Sequence, residues 1–246
     1  MWFIVINNIL FKLLMIFIDL LDRNNKKKIV NFFKKNLDKS LINVIDIGAH
    51  KGETIDLFLK NFKISKIYSF EPNKNLFNDL IKKKYNSEII ILSNLGVGKN
   101  SEKKELNIFK DTSSSTLNSI NVNSEYFKRK NKIMSFFLQN ENFFKDKQTV
   151  NICNLSEFMK DKKIEKIDIL KIDTEGYEFN IIDGISETDF RNIKFIYFEH
   201  HYDLMINKDY KFSDINKLLK KNNFQKKYKL RMKYRKSFEY IYENSK

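Results

Sequence analysis

This chain of 246 residues has few of the residue types that cross-link chains or bind metals. Its single cysteine, Cys153, excludes an internal disulfide and a cysteine zinc cluster, and it is typical of a reducing compartment. Its three histidines, His50, His200 and His201, argue against a three-histidine metal site. We therefore predict no metal site, with an acidic magnesium site left open as an alternative.

Arginine is also scarce, since only five of the 46 basic residues are arginine. The net charge of +15 by itself favours a nucleic-acid or membrane partner. However, a protein that reads phosphates specifically uses more arginine. The chain also has 30 asparagines and 32 isoleucines, and a joint excess of Lys, Asn and Ile indicates a codon bias towards A and T. We therefore predict no nucleic-acid partner.

The apolar content of 42% and the length suit one large globular domain with additions. We predict a helical segment over residues 1–40 and the main domain over 41–246. Residues 2–21 are strongly apolar, and Asn8, Lys12 and Asp19 fall on one stripe of a helix. This pattern predicts an amphipathic helix.

Three interpretations of this amphipathic helix stay open. It packs on the domain as a lid or a dimer contact, or it lies on a membrane surface through residues 2–28, with Arg23 and residues 26–28 facing anionic lipid. In the third interpretation it spans the membrane, but Lys12 would then lie near the centre of the span. The segment lacks the basic start and the small-residue cleavage site of a signal peptide. We predict a cytoplasmic protein, with contact at the inner face of the membrane as the sharper interpretation.

The most informative stretch is residues 43–52, which read as a buried strand followed by a glycine turn. Val44, Ile45 and Ile47 suit a strand covered on both faces. A second strand over residues 66–70 ends at Glu71. A glycine turn after one strand and an acid at the tip of the next favour a nucleoside ligand, because the carboxylate accepts hydrogen bonds from two ribose hydroxyls. The alternative is an ordinary strand-to-helix turn, for which two glycines are enough.

The composition of the turn favours S-adenosylmethionine over NAD. A dinucleotide turn has the pattern G-x-G-x-x-G, and this chain has only Gly48 and Gly52, so the glycine that admits a pyrophosphate is missing. Asp46 lies just before the turn, where it suits the ammonium group of an amino acid better than a phosphate.

Strand and helix patterns then alternate through residues 88–92, which predicts a parallel sheet. Residues 104–109 predict an added strand. The regular pattern stops over residues 111–147, where a polar stretch carries many aromatic residues. We predict an insertion there that acts either as a lid or as a helical segment packed on the body. Further strands follow at 167–173 and 194–198, and the tail alternates basic and apolar residues as an edge strand does.

Four motifs over residues 43–201 resemble the FkbM family of S-adenosylmethionine-dependent methyltransferases. They are V-I-D-I-G-A-H-K-G at 44–52, Y-S-F-E-P at 68–72, L-K-I-D-T-E-G-Y-E at 170–178 and F-I-Y-F-E-H at 195–200. The third is the most specific. The resemblance implies an α/β fold of the class I (Rossmann-like) methyltransferases, a three-layer sandwich with a mostly parallel seven-stranded sheet and an antiparallel last strand. It also implies O-methylation, in many relatives of sugar hydroxyls.

The resemblance also suggests where S-adenosylmethionine binds. It implies that the turn with Gly48, Ala49, His50 and Gly52 holds the methionine part. It implies that Glu71, followed by Pro72, holds the ribose, and that Asn94 lies near the adenine. With Asp46, these residues are the predicted cofactor site.

Methyl transfer to a hydroxyl needs a base that takes the proton. We predict His200 as the base because its side chain titrates nearest to neutral pH. Asp173 and Glu175 are rival bases, or they orient the sugar. The alternatives are a solvated loop histidine for His200 and a helix N-terminal charge for Glu175.

Two other functions compete with glycan or small-molecule O-methylation. One is nucleic-acid methylation, but the only proline is Pro72, so neither a D/N-P-P-Y/F motif nor a Pro-Cys motif is possible. The other is a non-catalytic, membrane-associated protein that keeps the fold and binds S-adenosylmethionine. The sequence gives no indication of the oligomeric state.

Overall fold

The computed structural model describes residues 23–38, 40–110, 114–137, 143–232 and 236–245. The amphipathic helix predicted over 2–21 lies outside these residues. Ten strands are present in the described residues: β1 (Ile42–Ile47), β2 (Ile64–Phe70), β3 (Ile90–Ser93), β4 (Gly96–Gly98), β5 (Glu102–Phe109), β6 (Phe144–Asn154), β7 (Ile167–Ile172), β8 (Ile193–His201), β9 (Phe224–Arg231) and β10 (Ser237–Asn244). The helices are α1 (23–36), α2 (Glu53–Asn61), α3 (Lys74–Lys82), α4 (Glu125–Phe137), α5 (Leu155–Asp161), α6 (Glu178–Asp183), α7 (Glu187–Phe190) and α8 (Phe212–Lys221).

Seven strands form the main sheet in the order β3-β2-β1-β7-β8-β10-β9. The pairings of β1 with β2 and β7, of β2 with β3 and of β7 with β8 are parallel, and β10 runs antiparallel to β8. The prediction of a mostly parallel seven-stranded sheet with an antiparallel last strand is confirmed. The carboxyl ends of β1, β2, β7 and β8 therefore meet at one edge.

Helices cover both faces of this sheet, so the fold has three layers. On one face, Ile29 and Phe33 of α1 and Phe58 of α2 pack against Val44 and other strand residues. On the opposite face, α5, α6, α7 and α8 pack against Ile45 and its neighbours. Because alternate residues of a strand point to opposite faces, β1 needs apolar residues on both, as its sequence indicated.

The region between β3 and β7 builds a second, smaller sheet in the order β4-β6-β5. The added strand predicted at 104–109 is present as β5, which pairs antiparallel with β6. The predicted 111–147 insertion contains α4 and the start of β6, and Phe109, Met134 and Phe143 form a small core of their own. Within the described residues, no helix has the length and the apolar character needed to cross a membrane.

Candidate functional site

A cavity of about 460 Å³ opens at the carboxyl ends of the central parallel strands. Its volume is typical of sites that hold a small molecule or cofactor. Seven of the predicted site residues line it: Gly48, Ala49, His50, Glu71, Pro72, Asp173 and Glu175. Side chains from α1 (Arg23 and Lys26) and from β8 and β10 (Glu199 and Glu239) also line it.

The turn after β1 is locked against the neighbouring strands. The backbone N–H groups of Gly48 and Ala49 both donate to the carbonyl of Phe70, each at 3.0 Å, and the Asp173 N–H donates to the Ile47 carbonyl at 3.0 Å. Gly48 has a φ of +84°, and a Cβ at this position would lie 1.9 Å from the Asp173 carbonyl oxygen. Only glycine fits this position, because both the backbone conformation and the space exclude a side chain.

Glu71 joins this turn to the end of β2. Its Oε2 accepts from the His50 N–H and its Oε1 from the Asn73 N–H, both at 2.8 Å. Burial raises the pKa of Glu71 to about 7, although these two hydrogen bonds oppose the rise. A carboxylate has about four lone-pair positions, so two remain for further donors. The residue therefore has the capacity to accept hydrogen bonds from a pair of ribose hydroxyls.

Asn94 supports Glu71 from behind. Its side-chain amide donates to the carbonyls of Glu71 at 2.8 Å and of Pro72 at 3.1 Å. It does not line the cavity, whereas the next residues, Leu95 and Gly96, do. Asn94 thus fixes the backbone of the site, and Leu95 is the residue beside it that a ligand can contact.

Asp46 lies beneath the turn with no exposed side-chain surface and does not line the cavity. Its Oδ1 is 3.2 Å from Lys171 Nζ, and Ser69 Oγ donates to its Oδ2 at 3.4 Å. Burial raises the pKa of Asp46, with the Lys171 ammonium opposing that rise. The structure therefore gives Asp46 a cationic partner within the chain instead of direct access to a ligand.

Lys171 is a site residue that the sequence reasoning missed. Its ammonium donates to the Gly48 carbonyl at 3.2 Å and lies 3.6 Å from Asp173 Oδ2. Burial lowers its pKa, but the carboxylates of Asp46 and Asp173 outweigh burial and raise it above the usual value. Lys171 therefore carries a positive charge at the floor of the cavity. A lysine inside the apolar strand at 167–172 was the signal in the sequence.

Glu175 is held in a strained backbone conformation at the end of β7. Its φ is +51°, which a residue other than glycine adopts rarely and usually where neighbouring contacts enforce it. Thr116 Oγ1 donates to the Glu175 carbonyl at 2.8 Å, and Asn118 Nδ2 donates to the Gly176 carbonyl at 2.6 Å. The fully buried Glu178 accepts from the Gly176 N–H at 2.8 Å and from the Tyr210 hydroxyl at 2.7 Å. These hydrogen bonds fix the backbone of the turn that carries the Glu175 side chain.

The Glu175 carboxylate lines the cavity and contacts a buried histidine. Its Oε2 lies 3.3 Å from His201 Nε2, and Glu199 Oε1 lies 3.5 Å from the same nitrogen. Burial raises the pKa of Glu175 to about 7, and His201 opposes this rise. The carboxylate therefore exchanges its proton near neutral pH, which suits a general base.

The structure does not bring His200 into the cavity. Strand β8 continues to His201 instead of ending near 198, and His200 pairs with Phe238 of β10. Alternation along the strand turns Tyr197, Glu199 and His201 to one face and His200 to the other. There His200 contacts the rings of Tyr202, Tyr210 and Phe212, and burial lowers its pKa to about 3.

Gly52 also lies away from the cavity. It precedes α2 with a φ of +82°, and a Cβ at this position would meet Tyr85 and Leu80. Among the residues that the structure describes, no group of three or more metal-binding side chains is close enough to hold a metal ion.

The family model described as the methyltransferase FkbM domain matches residues 46–226 of this chain. One similar solved structure is a methyltransferase FkbM from Methylobacillus flagellatus, with 12% identity, a TM-score of 0.50 and 82% of this chain covered. This chain spans 44% of the length of that protein. A search of curated proteins gives no match.

A second similar structure is magnesium protoporphyrin IX methyltransferase from Synechocystis with bound S-adenosylmethionine. It is 10% identical, with a TM-score of 0.50, and the match covers 92% of this chain and 81% of that one. At these identities the likeness shows a shared fold, which is the class I methyltransferase fold. The chain therefore belongs to the FkbM family of S-adenosylmethionine-dependent methyltransferases, as its four motifs predicted.

Proposed function

We propose that this protein transfers a methyl group from S-adenosylmethionine to a sugar hydroxyl of a glycan or a glycosylated metabolite. The observation that carries the proposal is Glu175, a carboxylate aimed into the cavity from a strained turn and paired with His201. Family membership supports methyl transfer, and the chemistry of the cavity supports a hydroxyl acceptor.

On the cofactor side, the residues present fit S-adenosylmethionine. Glu71 keeps lone pairs for the two ribose hydroxyls, and the turn at Gly48 leaves the backbone open to close approach. Asp173 lies at the same edge and is 37% exposed, so it is available to an ammonium group, whereas Asp46 is not. When bound, the cofactor supplies an electrophilic methyl group on a positively charged sulfur.

On the acceptor side, Glu175 takes the proton of the hydroxyl as its oxygen becomes the nucleophile. A base works best when its pKa lies near the working pH, and the pKa of Glu175 is about 7. The turn fixes the backbone of Glu175 before the acceptor arrives, so less ordering is left for the reaction step.

Carboxylates outnumber cationic side chains in the lining of the cavity. Among the described residues, six carboxylates line it, those of Glu53, Glu71, Asp173, Glu175, Glu199 and Glu239, against the three cations Arg23, Lys26 and Lys171. Carboxylates accept hydrogen bonds from neighbouring sugar hydroxyls. They repel a polyphosphate backbone, which proteins bind through Lys and Arg. This lining favours a polyhydroxylated acceptor and is the reason to propose a glycan in place of a nucleic acid.

We further propose a cytoplasmic location with contact to the inner face of a membrane through residues 2–28. In the described part of this segment, Lys27 and Lys28 of α1 are exposed and do not line the cavity, which supports an attraction to anionic lipid. Liposome flotation of the full chain, compared with a chain that starts near residue 31, tests this point. Equal flotation of the two contradicts it.

The decisive experiment incubates the protein with S-adenosylmethionine that carries a deuterated methyl group, together with surface glycans, small sugars and RNA. Mass spectrometry should find the label on a sugar oxygen. The variant Glu175→Gln should bind the cofactor normally but lose about 100-fold or more in transfer rate. Label on RNA alone, or a Glu175→Gln variant as active as the wild type, contradicts the proposal.

A further inference from the structure

His201 is buried among carboxylates on three sides. Its Nε2 lies 3.3 Å from Glu175 Oε2 and 3.5 Å from Glu199 Oε1, and its Nδ1 lies 3.6 Å from Asp203 Oδ2. The side chain is only 9% exposed, and His201 does not line the cavity. Of these residues, Glu175 and Glu199 reach the cavity, so His201 stands directly behind the proposed base.

The backbone holds His201 in this place from both sides. It is the last residue of β8 and pairs with Ser237 of β10. Its carbonyl accepts a hydrogen bond from Lys208 Nζ. Asp203 is fixed as well, because its Oδ1 accepts from the Met205 N–H at 3.0 Å.

We propose that His201 is a positioning residue that holds the Glu175 carboxylate towards the acceptor, with Asp203 orienting the imidazole from behind. This arrangement rests on the proposed role of Glu175 as the base. As in a catalytic triad, the histidine lies between the group that faces the substrate and a carboxylate, but here the group that faces the substrate is itself a carboxylate.

The charges around His201 agree with this role. Burial lowers its pKa, but Glu175, Glu199, Asp203 and Glu178 together raise it to about 10, so the imidazole stays positively charged at neutral pH. Burial raises the pKa of Asp203, and His201 more than compensates and lowers it. A permanent positive charge beside Glu175 keeps the pKa of that carboxyl from rising further.

Other charged groups also face this cluster. Glu199 and Asp173 raise the pKa of Glu175, and Lys130 lowers it. Lys208, whose ammonium donates to the His201 carbonyl, also lies near Asp203 and Glu178. His201 lowers the pKa of Glu175 more than Lys130 does, so removal of His201 should have the larger effect on that pKa.

The test is a pH titration followed by carbon-13 NMR of glutamate carboxyl groups in the full chain without cofactor or acceptor. The Glu175 signal is assigned with Glu175→Gln. In His201→Gln, the midpoint of Glu175 should move up by about one pH unit or more, because an opposite charge at this distance shifts a carboxyl pKa by about 1–3 units. In the wild type, nitrogen-15 signals of His201 should show a doubly protonated ring through pH 8.

His200→Gln is the matched control, since His200 is a buried neighbour on the opposite face of β8. It should leave the midpoint of Glu175 within about 0.3 unit of the wild type, well below the shift expected for His201→Gln. A Glu175 midpoint that is unchanged in folded His201→Gln, or a His201 that titrates near its ordinary value, overturns the proposal. A separate calorimetric titration with S-adenosylmethionine shows whether the cofactor site itself fails.

Discussion

Replacing Lys171 by methionine should destabilise the protein strongly, because it leaves the carboxylate of Asp46 buried without a cation. The Asp46 side chain is fully buried, and its Oδ1 lies 3.2 Å from the Lys171 ammonium. Removal of one partner from a buried ion pair costs about 3–5 kcal/mol. In a domain of this size, 1 kcal/mol lowers the melting temperature by about 2–4 °C. We therefore expect a fall of roughly 6–20 °C in Lys171→Met.

The double variant Asp46→Asn, Lys171→Met separates lost charge from lost packing. It removes the buried carboxylate together with its partner, so most of the stability should return. Lys82→Met is the matched control for lysine removal. Lys82 forms a 2.7 Å ion pair with Asp79, and the two side chains are 75% and 62% exposed. An exposed pair of this kind contributes about 0–1 kcal/mol, so the control should change little.

The stability of Lys171→Met should also depend on pH in a defined direction. The pKa of Asp46 in the fold is already raised by burial above the ordinary value of 3.8, and the loss of Lys171 removes the group that opposes this. An acid whose pKa is raised in the folded state lowers the stability of the fold. This loss of stability is complete at a pH above the raised pKa and absent at a pH below the ordinary pKa. The deficit of Lys171→Met relative to the double variant should therefore shrink as the pH falls from 7 towards 4.

The assay is thermal and urea unfolding of the four proteins at several pH values. The reasoning is refuted if Lys171→Met loses less than about 1 kcal/mol, which is the range of an exposed pair. It is equally refuted if the double variant is no more stable than Lys171→Met.

Three further predictions concern two residues that line the cavity and one that lies behind it. Gly48→Ala should destabilise the fold by at least about 1–3 kcal/mol and abolish cofactor binding, because the new Cβ would lie 1.9 Å from the Asp173 carbonyl oxygen. Urea unfolding measures the loss of stability, and calorimetry measures the loss of binding. Glu71→Gln should weaken cofactor binding about 10- to 100-fold, since hydrogen bonds to a charged group contribute about 1.5–3 kcal/mol. In the wild type, calorimetry should show affinity falling as the pH drops through about 7, where Glu71 takes up a proton, and the variant should lose this dependence. Tyr210→Phe removes a 2.7 Å hydrogen bond to the buried Glu178 and should slow labelled methyl transfer while cofactor affinity stays the same.

The sequence was most informative where the residue types within one short segment determine its local structure. The strand at 44–47, the glycine turn and Glu71 could be read directly, because a buried strand, a left-handed turn and an acid at a strand tip each need particular residue types. The number of strands in the main sheet and the antiparallel direction of the last strand came from the family resemblance, since strand pairings are not local properties of the chain.

His200 and His201 show where the sequence was not enough. The two residues are adjacent and chemically equal, and alternation along β8 decides that His201, and not His200, contacts Glu175 behind the cavity. The end of this strand is set by its pairing with β10, which lies nearly 40 residues further along the chain. A prediction that ends the strand near residue 198 places both histidines in a loop and so misses the alternation that separates them.

Lys171 was missed for a different reason. Its partner Asp46 comes from another strand, and the two meet only because β1 and β7 pair, with Asp46 directly opposite Lys171. The lid role of residues 111–147 and the domain boundary near residue 40 stay predictions. The structure shows that Thr116, from this insertion, bonds to the Glu175 carbonyl, so the insertion reaches the proposed base.

The most direct test of the account is the effect of S-adenosylmethionine on thermal unfolding of the wild type and Glu71→Gln. A ligand at 100 times its dissociation constant stabilises a protein by about 2.7 kcal/mol, so the wild-type melting temperature should rise by roughly 5–11 °C. NAD at the same concentration should give no rise, and Glu71→Gln should need at least about 10 times more S-adenosylmethionine for the same effect. No rise in the wild type at millimolar S-adenosylmethionine, or an equal rise with NAD, would contradict the assignment of this cavity as the cofactor site.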